Sequence, residues 1–103
     1  MKHTEEQIIK KAKKIIQDFR GEYYFEDCTD GALFKEKYKI GFGISEGEII
    51  PCWTVFVKAI FDNIDLLFIS DETGEPLYYH NFNMILFEIE KNKEGKYYKI
   101  EEE

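Results

Sequence analysis

The stretch Trp53-Thr54-Val55-Phe56-Val57-Lys58-Ala59-Ile60-Phe61-Asp62-Asn63-Ile64-Asp65-Leu66-Leu67-Phe68-Ile69-Ser70-Asp71-Glu72-Thr73-Gly74-Glu75-Pro76-Leu77-Tyr78-Tyr79 decides the fold. Two apolar runs meet at Asp62-Asn63, and the second ends in a turn built from Asp71 to Pro76. Runs of β-branched and aromatic residues bounded by Asp, Asn, Gly and Pro spell antiparallel strands. From 52 to 61 the odd positions are Trp53, Val55, Val57, Ala59 and Phe61, all apolar, and the even ones, Cys52, Thr54, Phe56, Lys58 and Ile60, are mostly so. A strand covered on both faces gives that pattern. Residues 64–70 return beside it, and a third strand starts at Leu77 and breaks near His80-Asn81.

Downstream, Ile85, Phe87 and Ile89 alternate with Leu86, Glu88 and Glu90, the segment 91–95 turns, and 96–101 returns with Tyr98 and Ile100 on one face. Upstream, the alternation of residues 37–44 predicts a half-buried strand with Tyr38, Ile40, Phe42 and Ile44 on one face. It follows a short aromatic run at 22–26 and a loop at 27–31, and it precedes a turn at 45–48. Pro51 lies near the start of the next strand, where a missing donor is tolerated. At the amino end, Thr4 and Gln7 have capping-box spacing, and Ile8, Ile9, Ala12, Ile15, Ile16 and Phe19 form one helical stripe that Gly21 stops. The spacing predicts a helix over 5–20.

These elements make a single α+β domain over 1–103, with one N-terminal helix packed on a curved antiparallel sheet of five or six strands. A helix about 10 Å wide cannot cover five strands about 4.8 Å apart. Curling, dimerisation through the open face or a bound partner must shield the rest, and apolar residues on both strand faces favour the last two.

The chain carries a net charge of −7, unevenly distributed: residues 1–20 hold six basic groups against three acidic ones, and the remainder holds eight against eighteen. An acidic body repels a nucleic-acid backbone and attracts a basic protein surface. No apolar run approaches the roughly 20 residues of a membrane span, and the polar start lacks the apolar core of a secretory signal. The expectation is a cytoplasmic protein that contacts neither membrane nor nucleic acid. Cys28 and Cys52 read as buried hydrophobes, with a disulfide between them as the alternative.

No motif names a chemistry. His3, His80, Cys28 and Cys52 lack ligand spacing, so neither metal nor cofactor is expected. Gly41-Phe42-Gly43 precedes no helix and fails as a phosphate loop, and the Asp and Glu clusters coincide with turns. Lys10, Lys11, Lys13 and Lys14 flank the apolar stripe as a solvated face, available to pair with the acidic body. No catalytic residue is assigned. The candidate binding residues are Trp53, Phe56, Tyr79, His80, Asp71 and Glu72.

Helix followed by sheet, the strand Trp53-x-Val55-x-Val57, and the turn carrying Asp71, Thr73 and Gly74 resemble the cystatin-like class of small modules. Within it the chain is similar to PepSY-type domains and to the nuclear-transport-factor-like group, some of whose small members are immunity proteins of bacterial toxin systems. The resemblance implies an architecture and transfers no catalytic residue. It departs from the transport-factor-like pattern in having one helix. The functional expectation is a noncatalytic binding protein, in concrete form an immunity-type inhibitor of a toxin enzyme. The alternatives are a small-molecule pocket or enzyme lined by Trp53, Tyr79, His80 and Asp71, and a homodimeric structural domain.

Overall fold

The computed structural model describes residues 1–24, 26–43, 45–59 and 62–100, with Tyr23 through its backbone alone. Phe25 of the aromatic run, Ile44 of the predicted strand, Ile60 and Phe61 of the alternating run, and the tail 101–103 lie outside the described residues.

Helix α1 (Glu5–Arg20) begins where the capping box places it. The Gln7 N–H donates to Thr4 Oγ1 at 3.1 Å, and the Thr4 N–H donates back to Gln7 Oε1 at 2.8 Å. Glu5 and Glu6 face the positive end of the helix dipole, and Gly21, at φ 55°, ends the helix with its N–H on the Gln17 carbonyl. The stripe Ile8, Ala12, Ile15 and Ile16 is fully buried. Each of the three isoleucines contributes about 1.5–3 kcal/mol by leaving water.

A short 3-10 turn (Gly21–Tyr23) leads to six strands: β1 (Thr29–Lys39), β2 (Ile49–Lys58), β3 (Ile64–Ser70), β4 (Pro76–His80), β5 (Leu86–Lys91) and β6 (Tyr97–Ile100). They form one antiparallel meander in the order β1-β2-β3-β4-β5-β6. The sheet is not closed, yet α1 packs against β1, β2 and β6. One helix touching both edge strands requires the sheet to curl around it, so curling supplies the cover on this inner face.

The first strand departs from the sequence reading. β1 occupies 29–39, where a loop was expected over 27–31, and 40–43 is not part of the ladder. Two irregularities in the β1–β2 register, between Thr29 and Ala32 and between Lys35 and Tyr38, hide the strand from a strict two-residue period. Gly31, at φ 104°, sits in the first, so turn-forming residues open a bulged strand. Beyond Lys39, the Ile40 N–H donates to the Glu48 carbonyl at 2.8 Å, and Gly43 and Gly47 adopt φ 91° and 90°. The chain turns there. The expected sidedness nevertheless persists, because Tyr38, Ile40 and Phe42 all pack into one cluster.

Strand faces sort cleanly. Inward, Trp53, Val55, Val57, Leu67, Ile69, Tyr79, Ile89 and Tyr97 meet the helix stripe. Outward, Cys52, Phe68 and Tyr78 are buried under Ile40, with Tyr38 and Phe42 against them. Cys28 belongs to the inner cluster and Cys52 to the outer one, and both are free thiols. Burial pushes the Cys52 thiol up to about 12.

Candidate binding surface

The six candidate residues fall into four places. Trp53 and Asp71 meet under the N-terminus of α1, where the indole Nε1 donates to Asp71 Oδ1 at 2.9 Å. Asp71 is only 2% exposed. It also accepts the backbone N–H of Lys2 at 2.7 Å and of His3 at 3.0 Å, while His3 Nδ1 donates to the Asp71 carbonyl at 2.8 Å. Burial acts to raise the Asp71 carboxyl, and the donors on Lys2, Trp53 and His3 outweigh it and hold it below the ordinary carboxylate range. This is a bolt between helix entry and the β3–β4 turn. Its acceptors are committed to protein donors.

Tyr79 is equally committed. Its hydroxyl donates to Asp65 Oδ2 at 2.5 Å, Asp65 Oδ1 accepts the Phe82 N–H at 2.8 Å, and the ring stands edge-on to Phe19 at 5.8 Å. Burial, then the hydrogen bond to Asp65, raises the phenol far above its ordinary value. Glu72 is exposed on the turn beside Asp71, apart from both groups.

Phe56 and His80 lie on the outer face, and the register brings them into one line. Phe56 is opposite Leu66, Leu66 is opposite His80, and His80 is opposite Leu86. Directly paired residues share a face, so this row crosses four strands, about 14 Å at the usual strand spacing. Ile64 lies one step further along β3 opposite Lys58, and the β4–β5 turn adds Phe82 and Met84. Met84 is 76% exposed and Ile64 39%. A groove of about 340 Å³ runs between Ile64, Leu66, His80, Phe82 and Met84.

The next row, Thr54, Phe68, Tyr78 and Glu88, is the covered half of the same face. The β1–β2 hairpin folds over it. Phe68 stacks on Tyr78 at 4.3 Å, Phe42 stands 6.2 Å from Tyr78, and the Tyr38 and Tyr78 hydroxyls are 3.3 Å apart. Adjacent halves of one sheet face thus differ among the described residues, one roofed by the hairpin and the other a half-buried apolar shelf whose Leu66 and Leu86 border the roofed cluster.

Charge differs as well. The helix lysines pair within the molecule: Lys11 with Glu75 at 3.2 Å, Lys13 with Glu26 at 3.3 Å and Lys14 with Asp18 at 2.6 Å. Segment 21–34, which runs from the helix end into β1, holds Glu22, Glu26, Asp27 and Asp30 and neither Lys nor Arg. It lies at the shelf's end of the sheet, since Asp27 reaches Lys58 at 3.1 Å and Cys28 accepts the Lys58 N–H at 2.7 Å. Exposed Asp62 stands at the same end, in the β2–β3 turn. The rim of the shelf is rich in acids, with Lys58 and Arg20 among them, the Arg20 guanidinium donating to the Lys58 carbonyl at 2.9 Å.

Sequence reading found Phe56 and His80 but missed Ile64, Leu66, Phe82, Met84 and Leu86. Apolar residues at the even positions of 64–68 were a signal for them, although only the register places them beside Phe56. Among the described residues no group of three His, Cys, Asp or Glu is arranged to hold a metal ion, and no helix is long and apolar enough to cross a membrane. No family model, no curated protein and no solved structure matches the chain.

Proposed function

We propose that this protein is a noncatalytic, acidic protein-binding module, and that its concrete role is that of an immunity-type inhibitor seated over the cationic active site of a toxin enzyme. The observation that carries the reading is the shelf: among the described residues, a less covered apolar half of the outer face, beside a segment of four acids of which Asp27 pairs with Lys58 and Glu26 with Lys13, with exposed Asp62 at the same end. Exposed apolar groups with a charged rim are the ordinary anatomy of a docking surface. The rim steers a basic partner, and the shelf supplies the area that excludes water. Trp53, Asp71 and Tyr79 then serve the scaffold, while Phe56 and His80 belong to the contact.

The test mixes the purified protein with the product of each toxin-like gene beside its own. A one-to-one complex that weakens as salt rises is expected. Failure to form a complex with any of them sinks the immunity form. Sedimentation of the protein alone addresses the homodimer, because a concentration-dependent dimer that dissociates when Ile64 becomes Lys assigns the shelf to a second copy.

A further inference from the structure

We propose that Met84 is the anchor of this surface, a side chain held out on a strained turn so that it enters an apolar pocket of the partner beside a lysine or arginine facing Asp62. The inference rests on the docking role of the shelf argued above. Among the described residues, Asp62 and Met84 are the non-glycine residues with positive φ, at 62° and 67°. Both lie in turns that border the shelf. Aspartate visits this region readily because its short side chain bonds locally, whereas methionine has its Cβ forced toward a carbonyl oxygen with nothing in return.

An internal control comes from the chain itself, which makes the same turn twice. In the β4–β5 turn, the Asn81 N–H donates to the Ile85 carbonyl at 3.0 Å, the Met84 N–H donates to the Asn81 carbonyl at 3.0 Å, and Asn81 Oδ1 accepts the N–H groups of Asn83 and Ile85. In the β5–β6 turn, Asn92, Glu94, Gly95 and Lys96 repeat every one of these bonds. The residue matching Met84 is Gly95, at φ 82°. Geometry therefore asks for glycine at this position. The turn without a shelf has it, and the turn at the shelf has a methionine that is 76% exposed. Strain kept where a residue without strain is available marks a displayed side chain, and strained positions gather at contact sites. Methionine is suited to such a role, since its flexible thioether fills irregular apolar pockets.

The experiment exchanges the two positions. Met84→Gly is expected to raise the thermal midpoint by about 3 °C, and Gly95→Met to lower it by a similar amount. Affinity for the toxin-gene product that binds the wild-type protein should fall at least about tenfold in Met84→Gly and stay unchanged in Gly95→Met. A Met84→Gly protein that binds as tightly as wild type, or that gains no thermal stability, overturns the anchor while leaving the docking role intact. Absence of any wild-type complex removes the docking role itself, and the anchor with it.

Discussion

The two halves of the outer sheet face are made of similar residues and have different fates. Phe68 and Tyr78 lie under a hairpin that the chain folds over them, and Phe56 and Leu66, in the adjoining row, are only half-buried, Leu66 at the border of the covered cluster. Composition does not separate them. What separates them among the described residues is the β1–β2 connection, whose glycines at 43 and 47 turn the chain back onto one end of the sheet. A sheet six strands wide with one helix needs a second cover, and the described residues build it over one half.

The largest effect should come from emptying the covered half. Phe68→Ala removes a ring that is 3% exposed and stacked on Tyr78, and it should cost about 3–5 kcal/mol in urea unfolding. Phe56→Ala, on the half-exposed row, should cost about 1 kcal/mol. Equal losses from the two substitutions would break the comparison, since they would mean that Phe56 is roofed after all.

Next in size is the bolt that holds the covered end of the sheet to the helix. Asp71→Asn places an amide group where at least one backbone N–H now donates, and should cost about 2–3 kcal/mol. The carboxyl of Asp71 is held below its ordinary value when folded, as are those of Asp18 and Glu75. A depressed folded pKa contributes stability that is complete above the unfolded value, about 4, and is lost as pH falls through the folded one. Wild-type stability should therefore drop below about pH 4, and the Asp71→Asn protein should show a shallower drop. A variant with the same acid profile as wild type would show that Asp71 does not carry this dependence.

How much of this could be read from the chain depends on how local each signal is. Thr4, Gln7, the Ile8 to Phe19 stripe and Gly21 act within one helix, and its bounds appear as expected. The Asp62-Asn63 and 71–76 turns act within single hairpins, and β3 begins and ends where they place it. β1 failed because its two register irregularities break the alternation, while the clean alternation just beyond it belongs to a turned hairpin tip. In the tail, alternation points to Tyr98, yet its neighbour Tyr97 is the buried one, its hydroxyl bonded to Glu75 at 2.6 Å. The sequence offers Trp53 and Asp71 as a pocket lining. That they satisfy each other depends on a contact across eighteen positions and on the Lys2 and His3 N–H groups, none of which the local pattern contains. The Phe56, Leu66, His80, Leu86 row needs three registers at once.

The smallest expected effect on stability is on the open half. Ile64→Lys replaces a side chain that is 39% exposed, opposite Lys58, and should change unfolding free energy by no more than about 0.5 kcal/mol. The same substitution puts a second cation beside Lys58 on the shelf, where the proposed basic partner would have to approach. It should abolish a complex that depends on this surface while leaving the thermal midpoint in place. That dissociation between folding and binding separates a docking surface from an unfinished core: a core position would lose both together, and an idle surface would lose neither.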